Sequence, residues 1–197
     1  MKLSKVKQTI SELKYLGNKK KKKICFLISN TSKKYKGQFY ITPIRESLRA
    51  VYCGAVVFGN KITKEISKII DSKVDYVYVD IEKKVNNNND ILVNTEREVK
   101  ENIKYSIVKN YKSNDITVNS IENFIQDYFS SDIRGIGGKK ILIIGAGNIG
   151  SKLGLRLLES GGYVTLFRRN LNKLKNITKT LNILKPRQTK SNCKYTN

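Results

Sequence analysis

The stretch from Gly138 to Gly150, Gly-Lys-Lys-Ile-Leu-Ile-Ile-Gly-Ala-Gly-Asn-Ile-Gly, constrains the fold of this chain more than any other. Ile141 to Ile144 is a four-residue apolar run, the length of a buried parallel strand. It leads straight into Gly145-Ala146-Gly147-Asn148-Ile149-Gly150, which has the G-x-G-x-x-G spacing of a dinucleotide-binding turn. Each glycine has its own task in such a turn. Gly145 allows the tight passage from strand to helix, Gly147 lets a pyrophosphate approach the backbone, and Gly150 lets the helix lie against the strand. The phosphates then rest on free N–H groups at the helix N-terminus, where the dipole favours negative charge.

Spacing of this kind is weak evidence alone, and the flanks supply the context. Leu153, Leu155, Leu157 and Leu158 lie on a helix-compatible stretch that ends at Glu159-Ser160-Gly161-Gly162. Tyr163 to Phe167 reads as a second strand. NAD-binding turns usually carry an Asp or Glu at the end of that strand to accept hydrogen bonds from the adenine ribose. Here the position reads Phe167-Arg168-Arg169-Asn170, and no Asp or Glu occurs from Ser160 to Asn197. An arginine pair suits a 2′-phosphate through charge-assisted, bidentate contacts. The expected cofactor is therefore NADP, with NAD as the alternative. The residues expected to hold it are Gly145, Ala146, Gly147, Asn148, Ile149, Gly150, Arg168 and Arg169.

Composition narrows the chemistry. The 197 residues suffice for one medium or two small domains with a real core. Lys and Arg outnumber Asp and Glu by 39 to 16, a formal charge of +23, which on its face suggests a polyanionic partner. Yet 31 Lys, 20 Asn and 24 Ile are together the residues that AT-rich codons encode, so a dedicated nucleic-acid role is not expected. Cys25, Cys53 and Cys193 are widely spaced without a C-x-x-C pair, which argues for a reducing cytoplasm and against a zinc site. No apolar run approaches the roughly eighteen residues of a membrane span. The chain has no histidine, so imidazole bases and histidine metal ligands are excluded.

Ahead of the glycine motif, helices and strands alternate. Leu3, Val6, Ile10, Leu13 and Leu16 mark an amphipathic helix closed by Gly17-Asn18, and Lys19 to Lys23 reads as a solvated lead-in to the next strand rather than a phosphate track. Ile24 to Ile28 reads as a buried strand, Ser29 to Gly37 as a polar loop, and Phe39 to Thr42 as a short strand stopped by Pro43. Helical spacing is read through Ile44, Leu48, Val51 and Tyr52 and on to Phe58. Lys61 to Ile70 reads as a helix and Tyr76 to Asp80 as a strand. Asn86 to Asn89 reads as a low-complexity loop. A helix is expected from Thr95, as N-cap, to about Tyr111, with Ile103, Ile107 and Val108 as its stripe. Another is expected over Val118 to Phe129, with Ile121, Phe124, Ile125 and Phe129 facing the core.

The expected fold class is α/β, with an N-terminal α/β layer followed by a Rossmann-like dinucleotide-binding unit, complete or truncated. The expected domains are residues 1–130 for substrate or partner, 131–185 for NADP, and 186–197 as a disordered tail. Lys173 to Leu184 supplies the helix after the second strand, and a full dinucleotide fold needs further strands. Either the unit is minimal and completed by the preceding layer, or the chain is a truncated product, with truncation the favoured expectation.

The segment Gly138 to Leu174 resembles the NADP-binding domain of the shikimate/quinate dehydrogenase and glutamyl-tRNA reductase family, over about forty residues. Phe167-Arg168-Arg169-Asn170 is similar to that family's Asn-Arg-Thr phosphate-binding turn. Thr42-Pro43-Ile44-Arg45-Glu46 is similar to part of its substrate motif, but carries Arg45 where the family has a catalytic lysine. No catalytic residue is assigned. The resemblance is specific for the cofactor fold. The expected function is an NAD(P)-dependent oxidoreductase, or a fragment of one, moving hydride to or from a small polar substrate, with Arg45, Arg49 and Lys61 as candidates to hold an anionic substrate. The alternative is a non-catalytic nucleotide-binding module. A homo-oligomer is compatible with either.

Overall fold

The computed structural model describes residues 3–31, 39–82 and 94–196. The chain divides into two compact units, Met1–Lys112 and Ser113–Asn197. Most of the Ser29 to Gly37 loop and all of Asn86 to Asn89 lie outside the described residues.

Unit 1 opens with α1 (Leu3–Lys20), whose three-and-four spacing buries Val6, Ile10 and Leu13. Strands β1 (Lys23–Asn30), β2 (Phe39–Ile41), β3 (Arg45–Glu46) and β4 (Ala50–Val57) follow. Next come α2 (Asn60–Ile70), β5 (Tyr76–Asp80), α3 (Thr95–Asn102) and β6 (Ile107–Tyr111). The sheet runs β2-β4-β1-β5-β6, with β3 also on β4. Strands β4, β1, β5 and β6 are parallel, and β2 and β3 are antiparallel to β4. Its core joins the apolar stripes of α1 and α2 and Val99 of α3 to Phe26, Ile28, Val51, Ala55, Val57, Val77 and Val79 of the sheet.

Two expected helices of unit 1 are corrected. Ile44 to Phe58 forms β3 and β4, and β4 pairs with β1 along all eight residues from Lys23↔Ala50 to Asn30↔Val57. A short apolar run does not distinguish a buried strand from a helix by periodicity, and Leu48, assigned to the apolar face, is 88% exposed. Gly54 belongs to the strand for a steric reason: a Cβ there would lie 2.6 Å from the Leu27 carbonyl oxygen. The second correction is at Thr95 to Tyr111. The N-cap is Asn94, whose side chain accepts from the Arg97 N–H at 3.1 Å, while the Thr95 hydroxyl donates to the Asp80 carbonyl at 2.7 Å. The helix stops at Asn102 because Ile103 turns extended. The Asp71 carboxylate then accepts the N–H groups of Lys104, Tyr105 and Ser106, each at 3.0 Å, and delivers the chain to β6. A stop imposed by a residue so far back in the chain leaves no local signal.

Unit 2 comprises α4 (Ser113–Tyr128), β7 (Lys140–Ile144), α5 (Asn148–Glu159), β8 (Tyr163–Phe167), α6 (Leu171–Leu184) and β9 (Cys193–Thr196). All three strands are parallel, in the order β7-β8-β9. Val118, Leu153, Leu157, Leu158, Val164, Leu166, Leu174 and Leu181 fill the core between sheet and helices. This β–α–β–α–β order is the mononucleotide-binding half of a Rossmann-like fold, and the fold class is α/β as expected.

Four details of unit 2 depart from the sequence reading. Helix α4 packs with α5 and belongs to this unit, so the boundary falls at residue 112 rather than 130. On α4 it is Val118 that is buried, and Phe124 is 73% exposed. Residues 186–197, expected as a disordered tail, contain β9. Asn182 holds that strand by donating to the Cys193 carbonyl at 2.8 Å and accepting the Cys193 N–H at 2.9 Å. Finally, β7 is parallel but pairs only with β8 among the described residues. Only Ile143 is buried, leaving Leu142 and Ile144 exposed, so the expectation of a buried strand is not met.

Candidate functional site

The glycine turn is built by steric demands that differ from residue to residue. Gly145 has φ 106°, a left-handed conformation that side chains avoid. Its N–H and that of Ala146 both donate to the Phe167 carbonyl, at 3.0 and 3.1 Å, so the turn is pinned to the end of β8. A Cβ on Gly150 would sit 2.3 Å from the Gly145 carbonyl oxygen, so α5 can start this close to β7 only with glycine at that place. Gly147 is different. Its φ is −89°, and a Cβ there would meet no atom within 4 Å. Nothing within the fold requires a glycine at 147, and its bare backbone faces an open cleft.

That cleft, about 550 Å³, is lined by Ile144, Gly145, Gly147, Phe167, Arg168, Arg169 and Asn170. Helix α5 begins beside it with no side-chain cap and no acidic residue in its first turn. The N–H groups of Asn148, Ile149 and Gly150 therefore have no acceptor within the helix and keep the partial positive charge of its N-terminus. Asn148 is exposed, Ile149 packs against the core, and Ala146 is fully buried.

The two arginines have unequal surroundings. The half-buried Arg168 donates from Nη1 to the Ala146 carbonyl at 2.8 Å. Arg169 is exposed at the rim. Asn170 caps α6 by accepting the Lys173 N–H at 2.9 Å. The Arg168 contact had no signal in the sequence, because it depends on where the β8 end meets the glycine turn.

Arg45, Arg49 and Lys61 are not gathered into one place. Arg45 borders a cavity of about 210 Å³ with Leu27, Thr42 and Tyr52. Arg49 lies beside Lys20 to Lys23 in a separate cleft, and Lys61 is exposed in the first turn of α2. All three cysteines are buried, and burial pushes the Cys53 thiol up to about 12 and that of Cys193 up to about 11. Burial, with the Asp75 carboxylate beside it, also raises Cys25. Among the described residues, no group of three or more His, Cys, Asp or Glu could hold a metal ion, and no helix is long and apolar enough to cross a membrane.

No protein-family model matches the chain, and no curated protein matches it. Among solved structures it is similar to L-tryptophan dehydrogenase from Nostoc punctiforme, at 13% identity and a TM-score of 0.42, over 75% of this chain and 40% of that one. A dipicolinate synthase chain from Bacillus halodurans matches at 17% identity and a TM-score of 0.28, over 64% and 39%. The D-lactate dehydrogenase of Escherichia coli matches at 12% identity and a TM-score of 0.27, over 98% and 56%. The chain thus spans between about two fifths and somewhat over half of these proteins. Fold and turn together define the class: an α/β chain whose second unit is a Rossmann-like half with a glycine turn at its first strand end.

Proposed function

We propose that the chain is an NAD(P)-dependent oxidoreductase, or the cofactor-binding part of one, that moves hydride to or from a small polar substrate and prefers NADP. The observation that carries this reading is Gly147. A glycine that the fold does not need, beside uncapped helix N–H groups and an open cleft, is what close approach by a pyrophosphate requires. In this reading the N–H groups of Asn148, Ile149 and Gly150 take the pyrophosphate, and Gly145 and Gly150 set the turn. Arg169 reaches the 2′-phosphate, while Arg168 positions the turn through Ala146. When bound, the cofactor supplies the hydride chemistry, and the chain's own residues bind and orient it.

A second reading, a nucleotide-binding module with no chemistry of its own, is favoured by the cysteine thiols held up by burial and by the absence of histidine. Deuterium transfer from NADPH labelled at C4 to a panel of small oxo acids, imines and aldehydes separates the two. Label in a product supports the enzyme. Saturable cofactor binding with no transfer across the panel supports the module, and absent binding overturns both.

A further inference from the structure

The C-terminal end of α1 carries a feature that the cofactor reading does not use. Helix α1 ends in a Schellman-type turn: the Lys22 N–H donates to Gly17 O at 2.9 Å and the Lys21 N–H to Asn18 O at 3.2 Å. The residue in the left-handed position, at φ 52°, is Lys21 rather than the usual glycine. The chain then enters β1, where the Lys23 N–H donates to the Arg49 carbonyl at 3.0 Å and so sets the Arg49 turn beside the lysine run. Gly17 makes the approach of helix to strand possible, since a Cβ there would lie 2.4 Å from Ile24 Cγ1. The result is an open cleft of about 710 Å³ whose lining includes Lys20 to Lys23, Arg49 and Asp75.

The charge balance of this cleft is uneven. Two carboxylates stand near five cations, and both are already engaged. Asp75 accepts the Ile24 N–H at 2.8 Å, and Glu46 holds Lys20 and, at 2.6 Å, Lys22. Lys22 also donates to the Ser47 carbonyl at 2.6 Å, which steadies the turn that presents Arg49. Lys21, Lys23 and Arg49 have no carboxylate partner among the described residues. All three line the same open cleft, at the starting ends of the parallel strands.

We propose that this cleft binds a small phosphate-bearing anion with at least two negative charges, independently of the cofactor site. Three cations with no carboxylate partner among the described residues, grouped at one cleft, suit a small ligand rather than nucleic acid, because a duplex or single strand is met by charges laid out along a track. A volume of this size also lies in the range of small-molecule sites.

The test is titration of the full chain with inorganic pyrophosphate at physiological ionic strength, followed by calorimetry and by the backbone N–H resonances of residues 20–23 and 49. Lys21→Gly, Lys23→Gln and Arg49→Gln are each expected to weaken binding by about five-fold or more, as loss of a charge-assisted contact would. Replacement of the exposed Lys5 and Lys7 by Gln is expected to change it by less than about two-fold, since they lie near the far end of α1, about 20 Å along the helix and beyond a Debye length. Lys21→Gly guards against misfolding, because glycine relieves the left-handed turn: its melting temperature should rise while its affinity falls. Absence of saturable binding overturns the proposal. So does binding that the cleft and control variants weaken equally, or that the cleft variants leave intact. An oligonucleotide that binds more tightly than pyrophosphate, with a salt dependence of many released ions, would replace the small anion with nucleic acid.

Discussion

The Arg168 guanidinium and the Ala146 carbonyl meet at 2.8 Å, joining the end of β8 to the glycine turn after β7. The contact divides the work of the arginine pair. Arg168 is committed to the turn, and Arg169 is left at the cleft rim.

Arg169→Ser should therefore weaken NADPH binding by about ten-fold or more and leave NADH nearly unchanged, because only the 2′-phosphate interaction is lost. Arg168→Ala should weaken both cofactors together and lower stability by about 1 kcal/mol, the worth of a partly buried hydrogen bond. Paired titrations of each variant check this. Equal loss of both cofactors in Arg169→Ser would contradict the division.

The two glycines of the turn should separate fold from binding. Gly150→Ala drives a methyl group into the Gly145 carbonyl and should cost about 2 kcal/mol or more, read by urea denaturation. Gly147→Ala meets open space and should change stability by less than about 1 kcal/mol. Its effect should fall on cofactor affinity instead. A Gly147→Ala chain that binds as tightly as the parent would remove the observation on which the proposed function rests.

How much of this was legible in the sequence depended on the range of the interactions. Val6, Ile10 and Leu13, or the run Tyr76 to Asp80, declare themselves by local period, and the glycine spacing declared its own turn. Ala50 to Val57 did not, because its residues are almost all apolar whichever face they take, which leaves no polar alternation to read. The end of α3 and the placing of β9 rest on Asp71 and Asn182, whose partners lie more than ten residues away. The site showed the same split. The glycines were readable, whereas the tie from Arg168 to Ala146 and the scattering of Arg45, Arg49 and Lys61 required the folded chain.

Asp71 gives a pH signature. Partial burial pushes its carboxyl up, but N–H donors from Lys104, Ser106, Tyr105 and Ser72 outweigh that and hold it below its ordinary value of 3.8. A carboxyl depressed in the folded state contributes stability that is present above the ordinary value and lost as pH falls through the folded one. Asp71→Asn should therefore flatten the acid limb of stability against pH. At neutral pH it should cost about 2 kcal/mol, as expected when charged acceptors are replaced. Denaturation curves from pH 7 downward check it, and an unchanged acid limb would count against the role.

Asn182 offers a test of the C-terminal strand. Asn182→Ala removes both bonds to Cys193 and should abolish hydrogen-exchange protection over residues 193–196 while leaving β7 and β8 protected. Protection that survives would mean that pairing with β8 suffices.

The central claim is tested most directly by fluorescence titration of the full chain with NADPH and with NADH. Saturable binding of both is expected, tighter for NADPH by about ten-fold, with the preference lost in Arg169→Ser. No saturable binding of either cofactor would contradict the account.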